Sequence, residues 1–165
     1  TLAHVRRYYD TVFEELAAAT HLEDVARIRS EVDARRHIRA YAPADFNARK
    51  LADAVKIESG AGARPTLIVI DGFGVADLER EDLAGIRALA QELAAEIWFS
   101  VVCAAEQIDG IPSTLRRCGD HVSVVLALDP KGHEVTLRAL KDHENEDLQN
   151  LHVGLDPSTL LLIRS

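Results

Sequence analysis

The chain has no methionine at all, and its first residue is Thr1. The expectation is therefore a fragment, a processed product, or a chain lacking leading residues. Cysteine is nearly absent. Cys103 and Cys118 are too few for a disulfide framework, and Cys103, inside an apolar run, is expected to pack as a small hydrophobe. No apolar stretch approaches the roughly 20 residues of a membrane span, and no signal peptide opens the chain. A cytoplasmic protein with no membrane contact is expected. Positive charge is also scarce: the net charge is −8, which argues against broad electrostatic binding of nucleic acid. Several catalytic patterns are missing too. There is no His-Glu-x-x-His for zinc, no Gly-x-Ser-x-Gly elbow and no Gly-x-x-x-x-Gly-Lys-Ser/Thr phosphate loop. Internal repeats and low-complexity tracts are absent as well.

What is present suits one globular domain. The 165 residues, 47% of them hydrophobic, are enough for a sizeable core. Charge is uneven. Residues 1–50 carry nine Lys/Arg against eight Asp/Glu, leaving ten against nineteen for the rest. The first part is thus the better place for an anionic partner, although its basic residues are spaced as on the solvated faces of helices.

Periodicity supplies the elements. Leu2, Val5, Tyr9, Val12, Phe13 and Leu16 recur at helical steps and predict a helix over 2–19. Further helices are predicted over 22–34, 44–57 and 77–95, with Leu78, Leu83, Ile86, Leu89, Ala90 and Leu93 inward in the last. A short one runs from Pro112 as far as Arg117. Strands are predicted at 37–41, 67–70, 97–104, 121–128, 134–140 and 160–163. Asp129-Pro130-Lys131-Gly132 reads as a tight turn closing a hairpin. Strands alternating with helices predict a mostly parallel sheet covered on both faces, with antiparallel strands added at one edge.

The most informative stretch is Thr66-Leu67-Ile68-Val69-Ile70-Asp71-Gly72. An apolar run of this kind reads as a buried parallel strand, and ligands sit beyond the carboxyl ends of such strands. Asp71 would then stand at the mouth of a site, where a phosphate-bound Mg²⁺ needs a carboxylate. The plainer alternative is a loop aspartate capping a backbone N–H. Glu106 and Gln107 come after the next strand and would share that sheet edge. Gln107 could orient a water or sense a γ-phosphate and Glu106 could polarise a water, or both could belong to a solvated loop. Lys141 could reach a phosphate across a subunit contact, or could simply deter pairing at a strand end.

Taken in order, these features resemble the RecA-like P-loop ATPases, in particular the clock-protein and replicative-helicase branch. Leu67 to Asp71 looks like the Walker B strand. Ile86 to Leu93 is similar to the next helix of that family, Glu106-Gln107 to the polar pair after its next strand, and Gly119-Asp120 with Val122 to Leu126 to the entry of the strand after that. Leu137-Arg138-Ala139-Leu140-Lys141 looks like the hairpin strand that ends in a finger, keeping its Lys and lacking its Arg. Leu155-Asp156 through Leu161 resembles the closing strand. The opening Thr1-Leu2-Ala3 is similar to the residues just after Gly-Lys-Ser/Thr in that family.

The resemblance implies an α/β, RecA-like three-layer sandwich with a C-terminal antiparallel β-hairpin, and an ATPase using ATP and Mg²⁺. Asp71 and Thr1 would serve the metal, with Thr1 also at the nucleotide. Glu106, Gln107 and Lys141 would be catalytic, and a homo-oligomer would bring Lys141 to a neighbour's nucleotide. A protein partner remains open, and nucleic acid is disfavoured by charge. Two alternatives stand beside it: a degenerate ATPase fold used as an interaction or regulatory module, and an unrelated doubly wound domain such as a flavodoxin-like one.

Overall fold

A computed structural model describes residues 2–42, 45–60, 62, 64–74, 79–102, 110–117, 119–132, 134–145, 148, 153–156, 159 and 161–164. The chain forms two compact units. Among the described residues, no helix is long and apolar enough to cross a membrane.

The first unit contains Thr1–Tyr41, Ala127–Arg138 and Asn150–Ser165. Helix α1 (Leu2–Ala19) has the predicted limits, and α2 (Val25–Arg35) begins three residues late. Charge and rings tie the two helices together. Arg29 bonds Glu14 at 3.0 Å and stacks over Phe13, and Arg36 stacks over Tyr9; such cation–π contacts contribute on the order of 0.5–1 kcal/mol each at exposed positions. Ala17 is the only buried residue on the two helices, so the apolar stripe of α1 stays largely open. The predicted strand at 37–41 does not form; residues 36–42 have no regular structure. With His37 and Arg39 between its few strand-forming residues, this run is poorly suited to a buried central strand.

The second unit contains Ala42–Leu126 and Ala139–Gln149. Helix α3 (Ala48–Gly60) leads to strand β1 (Leu67–Gly74), then helix α4 (Arg80–Leu93), strand β2 (Glu96–Val102) and the short helix α5 (Ser113–Arg117). β1 and β2 pair in parallel, from Leu67 opposite Glu96 to Gly74 opposite Val102. The apolar stripe of α4 supplies Leu83, Ile86, Leu89 and Leu93 to a core completed by Leu51, Val55, Ile70 and Leu115. Gly85 lets α4 approach α3, since a Cβ there would lie 3.3 Å from that of Ala48. Arg64 fixes the far end of α4 by donating to the carbonyls of Glu92 and Leu93 at 2.9 and 3.2 Å, a cation on the electronegative end of a helix. The Glu96 N–H donates to the Thr66 carbonyl at 3.0 Å and sets the start of the parallel register.

Strand alternation decides which side chains are covered. Ile68, Ile70, Ile97, Phe99 and Val101 face α3 and α4. Leu67, Val69, Trp98 and Val102 lie on the opposite face and are exposed, Val102 by 81%. Among the described residues, the parallel part is two strands with α3 and α4 on one face.

The antiparallel strands near the C-terminus are present. β3 (Val124–Lys131), β4 (Glu134–Asp142), β5 (Val153–Leu155) and β6 (Leu162–Arg164) neighbour one another in a four-stranded order. The connection between β3 and β4 is too short for anything but a hairpin. Its turn lies later than predicted, because Asp129 to Lys131 continue β3 and Gly132 turns with φ +62°. β3 ends the strand order, an edge position that tolerates the missing N–H of Pro130. The fold is α/β, with one parallel pair and an antiparallel sheet.

The core and the open face should respond differently to truncation. Leu83, 2% exposed, is expected to cost about 2–5 kcal/mol as Leu83→Ala. Val102→Thr should change stability by no more than about 0.5 kcal/mol. Urea unfolding of the two variants measures both.

Candidate functional site

β1 does not stop at Asp71. Pairing runs to Ile70 opposite Phe99 and resumes with Phe73 opposite Val101, so β1 holds one residue more than β2 across this step. That is a β-bulge, a device that re-aims a side chain. Gly72, at φ +83°, supplies the left-handed conformation that it uses. Gly72-Phe73-Gly74, past the end of the strand predicted at 67–70, is therefore strand beyond a bulge.

Ser100 organises this irregularity. Its hydroxyl accepts the Gly72 N–H at 3.2 Å and donates to Oδ1 of Asp71. The bulge leaves an N–H without a ladder partner, and the serine meets it while orienting the carboxylate. Asp71 is exposed, on the same face as Val69 and Trp98. Sequence alone carries little signal for Ser100; alternation along β2 puts it on the outward face, but only the bulge explains its use.

One oxygen of Asp71 is thus engaged, and among the described residues no side chain takes the other. Among the described residues no group of three or more His, Cys, Asp or Glu could hold a metal ion. A single carboxylate suits Mg²⁺ only where phosphates and waters provide the other ligands. Asp71 fits that role; it does not form a protein-only cage. Thr1, Glu106 and Gln107 lie outside the described residues.

Lys141 is half-buried at the end of β4. Its Nζ donates to the carbonyls of Gly119 and Val122 at 2.6 and 2.7 Å. It is anchored on the 3₁₀ turn Gly119–His121, and acting on a neighbouring subunit would require leaving both acceptors. Two arginines bind the same segment. Arg80 donates to the Arg117 carbonyl and to Oδ2 of Asp120, both at 3.1 Å, and Arg87 donates to the Asp120 carbonyl. The His143 N–H reaches the Ser123 carbonyl at 2.6 Å. Its ring faces Asp142, with Nδ1 2.9 Å from Oδ1. That hydrogen bond is the main reason the Asp142 carboxyl titrates below its ordinary range.

No protein-family model, curated protein or solved structure matches the chain.

Lys141→Met strips two backbone carbonyls of their donor and should cost about 1–3 kcal/mol, read as a lower melting temperature. In an NMR titration, His143→Gln should move the Asp142 pKa back up toward the ordinary carboxylate range. A lowered folded-state pKa means that the stabilisation is present above the unfolded-state value and is lost as pH falls through the folded one; the variant should lose the part of that acid-side dependence that His143 supplies, while Asn145 keeps the rest.

Proposed function

We propose that the chain is the core of a Mg²⁺-dependent RecA-like ATPase, working as a homo-oligomer on ATP. The observation that carries this reading is Asp71: an exposed carboxylate near the carboxyl end of a parallel strand, oriented by Ser100. The carboxyl edge of parallel strands is where α/β proteins bind ligands. The ordered resemblance, from Leu67-Ile68-Val69-Ile70-Asp71 through Glu106-Gln107 to Lys141, supports the same conclusion. When bound, Mg²⁺ would supply charge neutralisation at the phosphates. Asp71 would hold it through water, and Thr1 would be a hydroxyl ligand or lie next to one. Gln107 would sense the γ-phosphate and Glu106 would polarise the attacking water.

One observation favours a second reading, a degenerate ATPase fold used as an interaction or regulatory module. The Lys141 ammonium is engaged by two carbonyls of its own chain, and the finger's Arg is missing from Lys141-Asp142-His143.

Sequencing upstream of Thr1 separates the two cheaply, because Gly-Lys-Ser/Thr there supports the enzyme. In the natural full-length polypeptide, Asp71→Asn should lower ATP turnover by about 10²-fold or more, as expected when a metal-positioning carboxylate is lost. Unchanged turnover would exclude Asp71 from the metal site. Absent turnover, together with no ATP-dependent rise in melting temperature, would support the module.

A further inference from the structure

The turn that holds Lys141 also takes two arginines of α4. Arg80 and Arg87 are seven residues apart on α4, about two turns, and so share one helix face. Both reach the Arg117–Asp120 backbone. Arg117 itself is exposed at the end of α5. The Arg80 guanidinium pairs with the Asp120 carboxylate, and Arg87 and the Lys141 ammonium bind backbone carbonyls of the same turn. Glu79, Glu81 and Asp82 do not offset them directly, since each leaves the helix at least about 100° away from Arg80. Asp82 turns toward the Ala48 N–H instead.

Holding a turn in place does not exhaust these donors. A guanidinium has five N–H groups in a fixed fork. Among the described residues, Arg80 uses two kinds of acceptor, a carbonyl and the Asp120 carboxylate, and Arg87 is matched to one carbonyl. The Asp120 side chain is 81% exposed and that of Arg80 54%. An anionic oxygen already sits 3.1 Å from Arg80, on a side chain loose enough to be displaced.

We propose that Arg80, Arg87 and Arg117 form a binding patch for a small soluble ligand carrying linked phosphates, with a phosphate oxygen taking the place that Asp120 Oδ2 occupies. Guanidinium forks match phosphate oxygens in paired, charge-assisted bonds. Size is limited by the rest of the surface. The chain carries a net charge of −8, which repels a long polyanion more than a compact one. A compact oligophosphate places its charge within the patch alone. This inference does not depend on Asp71 or on ATP hydrolysis.

Calorimetric titration of the chain with inorganic tripolyphosphate at low ionic strength tests it. Arg80→Gln and Arg117→Gln should each weaken binding about tenfold, the loss of one charge-assisted contact, and added salt should weaken it further. Arg117→Gln keeps the backbone carbonyl that Arg80 uses, so an unchanged melting curve checks its fold. Asp120→Asn should tighten binding by removing the competing carboxylate, an effect that a purely structural turn would not show. Asp71→Asn should leave it unchanged. ATP binding as tightly as tripolyphosphate in the Asp71→Asn background would show that the phosphate chain alone is read. No binding of tripolyphosphate, equal binding by the arginine variants, loss in Asp71→Asn, or tighter binding of a short oligonucleotide would each overturn the proposal.

Discussion

The second unit depends on one contact, the apolar stripe of α4 against the inner face of β1 and β2. Leu83, Ile86, Leu89 and Leu93 are buried there with Ile70 of β1 and with Leu51 and Val55 of α3. Because a strand alternates its side chains with a period of two, a one-residue slip would send Ile68 and Ile70 outward. The same contact therefore fixes Asp71 on the open face. It also fixes the strand ends, since Arg64 binds the last carbonyls of α4 just before β1 begins. The position of the candidate carboxylate is a consequence of core packing, and Ser100 then sets its orientation.

Cations on carbonyls are the second organising theme. The carbonyls of Arg117, at the end of α5, and of Gly119, Asp120 and Val122, in and just after the 3₁₀ turn, need donors from elsewhere. Arg80, Arg87 and Lys141 provide them, from α4 on one side and from β4 on the other. This explains a lysine at a strand end without any role across subunits. A lysine that satisfies two carbonyls is costly to move, and that cost bears directly on the choice between an ATPase and a module derived from one.

Much of this is legible in the sequence. α1 and α4 announce themselves because their apolar residues recur at three and four over four turns, and the α/β character comes from the order of the runs. The antiparallel end is visible in the alternation of Val135, Leu137 and Ala139. The features that stay hidden rest on long-range partners. Nothing near Asp71 reveals the bulge, because the hydroxyl that completes it comes from Ser100, 29 residues on. The turn at Asp129 to Gly132 lies later than expected because Pro130 reads as a turn residue, whereas an edge strand accommodates it. The 37–41 run does not become a strand because isolated β-formers do not specify pairing without neighbours. Lys141 stands out at its strand end, but its acceptors are backbone carbonyls, which leave no trace in sequence.

The two candidate sites separate on physical grounds. Asp71 offers a lone carboxylate on an open, apolar face shared with Trp98 and Val69, where it can attract only cations or donors. The arginine patch sits on the helix side of the same unit, on α4 and the turn it grips, where it attracts anions. A nucleotide bound with its metal needs both kinds of charge at one place, and neither site alone provides that. Asp71 therefore requires phosphate ligands from residues beyond those described before it can serve hydrolysis, whereas the arginine patch already contains its binding groups. Its electrostatics suit recognition, since Arg80 and Arg87 would offer guanidinium donors to an anion that takes the place of the exposed Asp120 carboxylate.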